Sequence, residues 1–168
     1  AQASHIGATC IDLWPPSHGD QRNQIDLIGH DNYLQACVEA SIKPLMTTRY
    51  DLGPFGLADE IKVVKQLGGK MIVCGSTGNK DGSLKQQVAA FIEKMRPHVA
   101  IAEEAGLVIA IENHSNALIH SPDSLKHFAD LNQSANLGIA LAPYHLPQDS
   151  QAISNIIKHC GNNIVHFY

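Results

Sequence analysis

Leu107-Val108-Ile109-Ala110-Ile111-Glu112-Asn113-His114 is an apolar run of strand length that ends abruptly in a carboxylate, an amide and an imidazole. The residues before Glu112, rich in Val and Ile, predict a strand buried on both faces, as in parallel sheets covered by helices. Loops converge just past the carboxyl ends of such strands, so residues there line the functional crevice. Glu112 is therefore the first candidate for chemistry.

Outward from this stretch the same unit repeats. Downstream, Ser121-Pro122 opens a helix that faces Leu125 and Phe128 inward. A strand from Leu137 to Leu141 then ends in Ala142-Pro143-Tyr144-His145. Asp149 caps a helix carrying Ile153, Ile156, Ile157 and Cys160, Gly161 ends it, and Ile164 to Tyr168 reads as a further strand. Upstream, Ser83 and Gln86 form a capping box for the longest helix, with Leu84, Val88, Phe91, Ile92, Met95 and Val99 as its buried stripe. Pro97 is predicted to kink or divide that helix, and Gly106 to stop it. The glycine-rich loop from Gly75 through Asn79 to Gly82 lacks the G-x-x-x-x-G-K-[ST] order of a phosphate cradle and reads as a plain connection.

Nearer the start, Ala8 to Trp14 reads as a strand halted by Pro15-Pro16, followed by a polar loop from Ser17 to Gln24. Asp31 is placed to cap a helix with Tyr33, Leu34, Cys37 and Val38 on its apolar face. Ile42 to Thr48 is the next strand, with Arg49, Tyr50 and Asp51 at its end. A helix then buries Leu57, Ile61, Val64 and Leu67 and stops at Gly68-Gly69, before a strand from Met71 to Cys74.

Six strands alternating with helices at intervals of roughly 26 to 37 residues make an α/β protein of repeated βα units. With 168 residues, 44% hydrophobic and 17% charged, a single domain over residues 1–168 is long enough for one buried core. A formal net charge of −4 and the lack of any Lys or Arg run argue against nucleic acid as a partner. No apolar stretch approaches the roughly 20 residues of a membrane span, and the first residues lack a signal-peptide layout, so no membrane partner and a cytoplasmic location are expected. Cys10, Cys37, Cys74 and Cys160 are far apart and read as reduced thiols. Most of the ten histidines, His5, His18, His30, His98, His127 and His159 among them, read as solvated surface. Two architectures fit: a doubly wound open sheet, or part of a (β/α)8 barrel, which needs about 250 residues. No G-x-G-x-x-G follows an early strand, and the chain begins without Met and stops directly on a strand, so an excerpt of a barrel is expected.

Three strand ends taken together carry a resemblance. Ile109-Ala110-Ile111-Glu112-Asn113-His114, Asn136-Leu137-Gly138-Ile139-Ala140-Leu141-Ala142-Pro143-Tyr144-His145 and Asn163-Ile164-Val165-His166 resemble successive strand ends of the sugar phosphate isomerase/epimerase family, the xylose-isomerase-like TIM barrels. The resemblance covers nearly the whole chain as strands two to seven of eight. It implies a divalent metal, Mn, Zn, Co, Fe or Mg, and a small-molecule sugar or sugar phosphate as partner. It also implies that Glu112 is metal ligand and proton carrier and that His166 is a ligand. His145 matches a histidine that contacts substrate, and it is placed to serve as a ligand too. Two departures stand out: Ala142 occupies the place of a carboxylate ligand, and nothing corresponds to the strand-eight glutamate.

Such a site serves removal of a proton from carbon next to a carbonyl, through an enediolate whose charge the metal stabilises. The expected enzyme is an isomerase or epimerase. His114, two residues beyond Glu112, is a substrate-binding or supporting group; Arg49 is a candidate for a substrate phosphate or oxygen or, equally, for a surface ion pair with Asp51, and Trp14 for the wall of a sugar ring or for core packing. A homo-oligomer is compatible with the sequence. Ala142 raises a second reading, a barrel whose metal site has decayed into a binding protein. A third, an endonuclease IV-type nuclease, needs more metal-binding residues and a basic groove that the sequence does not display.

Overall fold

The computed structural model describes residues 2–78 and 80–168; Asn79 of the glycine-rich loop and Ala1 lie outside them. After a short helix, α1 (Gln2–His5), come β1 (Cys10–Leu13), α2 (Gln21–Ile28), α3 (His30–Glu39), β2 (Lys43–Thr48), α4 (Ala58–Gln66) and β3 (Met71–Cys74). The second half runs α5 (Leu84–Ala105), β4 (Val108–Glu112), α6 (Pro122–Leu131), β5 (Leu137–Leu141), α7 (Ser150–Cys160) and β6 (Ile164–Phe167). All neighbouring strands pair in parallel, and their spatial order β1-β2-β3-β4-β5-β6 is their order in the chain. A doubly wound sheet reverses that order at a switch point, whereas a barrel wall adds each strand on the same side. The sheet is therefore the wall of an incomplete barrel.

The strand period of two divides this wall between two cores. One face of the sheet sends Ile72, Cys74, Ile109, Ile111, Ile139 and Leu141 into the main core with Phe91, Met95, Leu125 and Phe128 of the helices. Alternate residues, Met46, Val73, Ala110 and Ala140, form a second cluster on the concave face, with Met71, Val165 and Tyr168 against it. The wall curls enough for the Tyr168 hydroxyl, just past β6, to lie 3.4 Å from Thr48 Oγ1 of β2. Gly138 permits a close approach inside this curl, since a Cβ there would sit 2.6 Å from the Val165 methyls and 3.0 Å from the Asn163 carbonyl. The register shift between Ile139 and Ala140 falls beside it.

Several local expectations hold. Ser83 and Gln86 close a reciprocal capping box, Ser121 caps α6 with Pro122 inside its first turn, and the Asp149 carboxylate accepts from the Gln151 and Ala152 amides. Gly106 ends α5 at φ 71°, a conformation that suits glycine.

Others do not. The first strand is shorter than Ala8–Trp14, and the polar loop already turns helical at Gln21, because α2 is held by one apolar residue, Ile25, and by Arg22, which is buried through an ion pair with Glu60. Hydrophobic periodicity cannot register a helix docked by a salt bridge. Gly29 rather than Asp31 precedes α3, and Val38 faces solvent at 77% exposure. α5 continues through Pro97, which lies on its exposed side, where water can take the carbonyl left without a donor. No helix among the described residues is long and apolar enough to cross a membrane.

All four cysteines are free, with Cys10 exposed and the others buried. Burial pushes the Cys74 thiol up to about 12 and the Cys160 thiol up to about 11. Thiolate chemistry is thereby suppressed at both. In native protein at pH 8, a chromogenic disulfide reagent should titrate Cys10 rapidly and the rest only after denaturant is added; fast release from more than one thiol would contradict this burial pattern.

Candidate functional site

Glu112 is the last residue of β4 and points to the concave face, in line with Ala110. Its side chain is 1% exposed. One carboxylate oxygen, Oε1, accepts from the Tyr144 hydroxyl at 3.3 Å and lies 3.8 Å from His145 Nε2. The other, Oε2, is buried without a partner among the described residues. Burial is the main reason that Glu112 holds its proton more tightly than an ordinary glutamate. The Tyr144 bond and the charge of His114 act against that, and Asp12 reinforces it.

The segment after β5 supplies the next groups through a 3-10 turn, Pro143–His145. Asn113 fixes where this turn begins, since its side chain donates to the Ala142 carbonyl at 2.9 Å and accepts from the Ala142 amide at 2.7 Å. The buried Ala142 is thus held by its backbone and brings no ligand of its own. The His145 ring packs on Tyr144 at 4.2 Å and on His114 at 4.1 Å between centroids. Burial, then the nearby His114 charge, depresses the proton affinity of His145.

His166 lies on β6 with its ring edge-on to Tyr168 at 4.6 Å. Burial lowers its proton affinity, and Asp12 opposes that effect. Asp12 itself projects from β1 and receives Trp14 Nε1 at 2.7 Å and Thr48 Oγ1 at 2.7 Å, both on Oδ2. Its Oδ1 is buried with no partner among the described residues. Trp14, His18 and Tyr50 form a ring cluster with centroids 5.6 to 5.9 Å apart. His18 and Tyr50 line a cavity of about 320 Å³ together with Gly75, Ser76 and His114.

Of the residues singled out by sequence, Glu112, His145 and His114 come together. His166 lies on the same concave face but beside Asp12, and Trp14 reaches that face through its bond to Asp12. Arg49 is engaged elsewhere: its Nε and Nη2 donate to Asp51 at 2.9 and 2.8 Å, and its Nη1 pairs with Glu60. Sequence reasoning passed over Asp12, Thr48, Tyr144 and Tyr168 as site residues. Only Asp12 carried a signal, as the one charge inside an otherwise apolar strand.

In donor type the site suits a divalent cation, with buried carboxylate oxygens lacking partners on Glu112 and Asp12 and neutral imidazoles on His145 and His166. Among the described residues, however, no three His, Cys, Asp or Glu side chains converge closely enough to form a ready-made metal centre.

A model of the xylose isomerase-like TIM barrel matches residues 1–168. No curated protein sequence matches the chain. Among solved structures, the IOLI protein with a binding zinc atom superposes with a TM-score of 0.77 at 15% identity, over 98% of this chain and 64% of that one. A D-tagatose 3-epimerase-like protein gives 0.67 at 16% identity, over 95% and 66%. The 3-keto-D-glucoside 4-epimerase YcjR from E. coli gives 0.66 at 12% identity, over 95% and 78%. The chain thus spans 64% of the length of the IOLI protein, and at such identities the likeness concerns the fold.

Proposed function

Because this chain belongs to the xylose isomerase-like TIM barrel family, we propose that it carries part of the active site of an isomerase or epimerase that acts on a sugar or sugar phosphate by proton transfer next to a carbonyl. The observation that carries this reading is Glu112, a buried carboxylate at a strand's carboxyl end with one oxygen free of any partner.

Burial raises the proton affinity of Glu112, which makes its carboxylate a stronger base than an exposed one. The Tyr144 hydroxyl holds Oε1, so the free Oε2 is the oxygen that faces the reacting carbon. His145, kept neutral by burial, is placed to hydrogen-bond a substrate oxygen beside Glu112. The rings of Trp14, His18 and Tyr50 offer apolar faces against which the C–H side of a sugar can lie. Glu112, His145 and His166 are the residues that would hold a divalent ion. When bound, such an ion would supply positive charge that offsets the negative charge developing as the proton leaves. Isomerisation and epimerisation then differ in the carbon, or the face, to which the proton returns.

The test is wash-in of solvent deuterium. Purified protein incubated in D₂O with D-tagatose, D-fructose or D-xylulose should place deuterium on the carbon next to the carbonyl, as read by NMR. Elemental analysis should find about one divalent ion per chain, with exchange lost on chelation and restored on metal return. Metal-loaded protein that exchanges no ketose proton would overturn the enzyme reading. If it still bound the ketoses, the non-catalytic binding protein raised by Ala142 would take its place.

A further inference from the structure

The concave face holds a second carboxylate that this proton transfer leaves unused. Asp12 stands three strands from Glu112 around the curved wall, close enough for its charge to raise the proton affinity of Glu112. Its Oδ2 is saturated by two donors, the Trp14 indole N–H and the Thr48 hydroxyl, each at 2.7 Å. Thr48 spends its only hydrogen on Asp12, so the Tyr168 hydroxyl 3.4 Å away must act as donor toward Thr48. This chain of donors fixes the carboxylate plane and leaves Oδ1 buried, with lone pairs and no hydrogen to accept. A buried acceptor left in this way is costly, and one that native proteins retain marks a place where a ligand, a water or a catalytic role supplies the compensation.

Asp12 and His166 line a common cavity of about 190 Å³ between β1, β2 and β6, whose other walls are Cys10, Ile11, Leu45 and Met46. The Asp12 carboxylate is the acceptor among these walls, and it matches a hydroxyl of a polyol, which donates to it.

We propose that Asp12 is a specificity-determining residue of this site, its Oδ1 accepting a hydrogen bond from a substrate hydroxyl on the wall away from Glu112. This rests on the reading of the site as a sugar site. The arrangement selects for a hydroxyl at that place, because an analogue lacking it leaves the buried acceptor unpaired.

The chain contains one tryptophan, Trp14, and its indole N–H is bound to Asp12, so its emission reports on occupancy there. The experiment titrates wild-type protein, Asp12→Asn and Thr48→Val with D-tagatose, D-fructose and D-xylulose, following Trp14 emission and calorimetric binding, with thermal melts to verify folding. Asp12→Asn keeps an oxygen for the Trp14 and Thr48 donors but turns the free position into an N–H donor. It should weaken the best-bound ketose about tenfold or more and remove the emission change. Thr48→Val, which leaves the carboxylate in place but loosened, should weaken it about threefold, and it decides the matter if Asp12→Asn does not fold. A ketose that binds wild type and both variants equally overturns the role of Asp12 alone. If no ketose binds the wild type, the sugar reading falls, and this inference with it.

Discussion

Glu112→Gln should lower ketose proton exchange by about 10²- to 10⁴-fold, the usual contribution of a positioned general base, while the protein remains folded. The amide keeps the shape of the carboxylate and its contact with Tyr144 but cannot take a proton. Stability should move in the opposite direction. Burial raises the proton affinity of Glu112 in the folded state above its ordinary value of 4.5. A raised carboxylate contributes stability that is fully present below its unfolded value and is lost as pH rises through the folded one. Gln, which mimics the protonated form, escapes that loss. In metal-free protein the melting temperature of Glu112→Gln relative to wild type should therefore climb as pH rises above 4.5. A variant that keeps exchanging protons at the wild-type rate, or that simply melts lower at every pH, would remove Glu112 from the chemistry.

The largest loss of stability is expected far from that chemistry, at Glu60. This residue is 3% exposed and receives the Arg22 guanidinium at 2.9 and 3.2 Å, and Arg49 pairs with it as well. Arg22 is itself buried and bridges to Asp26 at 2.6 Å, so α2, α4 and the end of β2 are joined through one carboxylate. Without Glu60 the buried Arg22 keeps only the half-exposed Asp26, and breaking a buried pair in this way costs about 3 kcal/mol. Glu60→Ala should accordingly lower the melting temperature by roughly 10 °C or more. Asp59→Ala on the same helix, whose ion pair with Lys62 is almost fully solvated, should leave it unchanged. Equal melting temperatures for the two variants would mean that the Arg22–Glu60 pair does not hold α2 in place.

Much of the fold was legible because its cues are local. Met71–Cys74 and Leu137–Leu141 have the bounds that their apolar runs suggest, and the caps at Ser83, Ser121 and Asp149 form where the sequence places them. α2 was missed because its anchor, Glu60, lies 38 residues away in sequence. The site divides in the same way. Glu112 and His145 stand out as polar residues at the ends of apolar strands. Tyr144 reads as an ordinary loop aromatic until its hydroxyl is seen on Glu112, and Asp12 as an incidental strand residue until Thr48 and Trp14 are seen to hold it.

By itself, the sequence determined the repeated βα unit, the family resemblance and the strand end that bears Glu112, since periodicity, caps and short motifs are written along the chain. Tertiary structure alone decided that the curl of the wall brings Tyr168 to Thr48 and His166 to Asp12. It also decided that Arg49 is occupied by Asp51 and Glu60. The physical reason is that burial and pairing are properties of neighbours in space. A carboxylate becomes a strong proton holder or an unpaired acceptor only when strands distant in sequence close around it and shut out water.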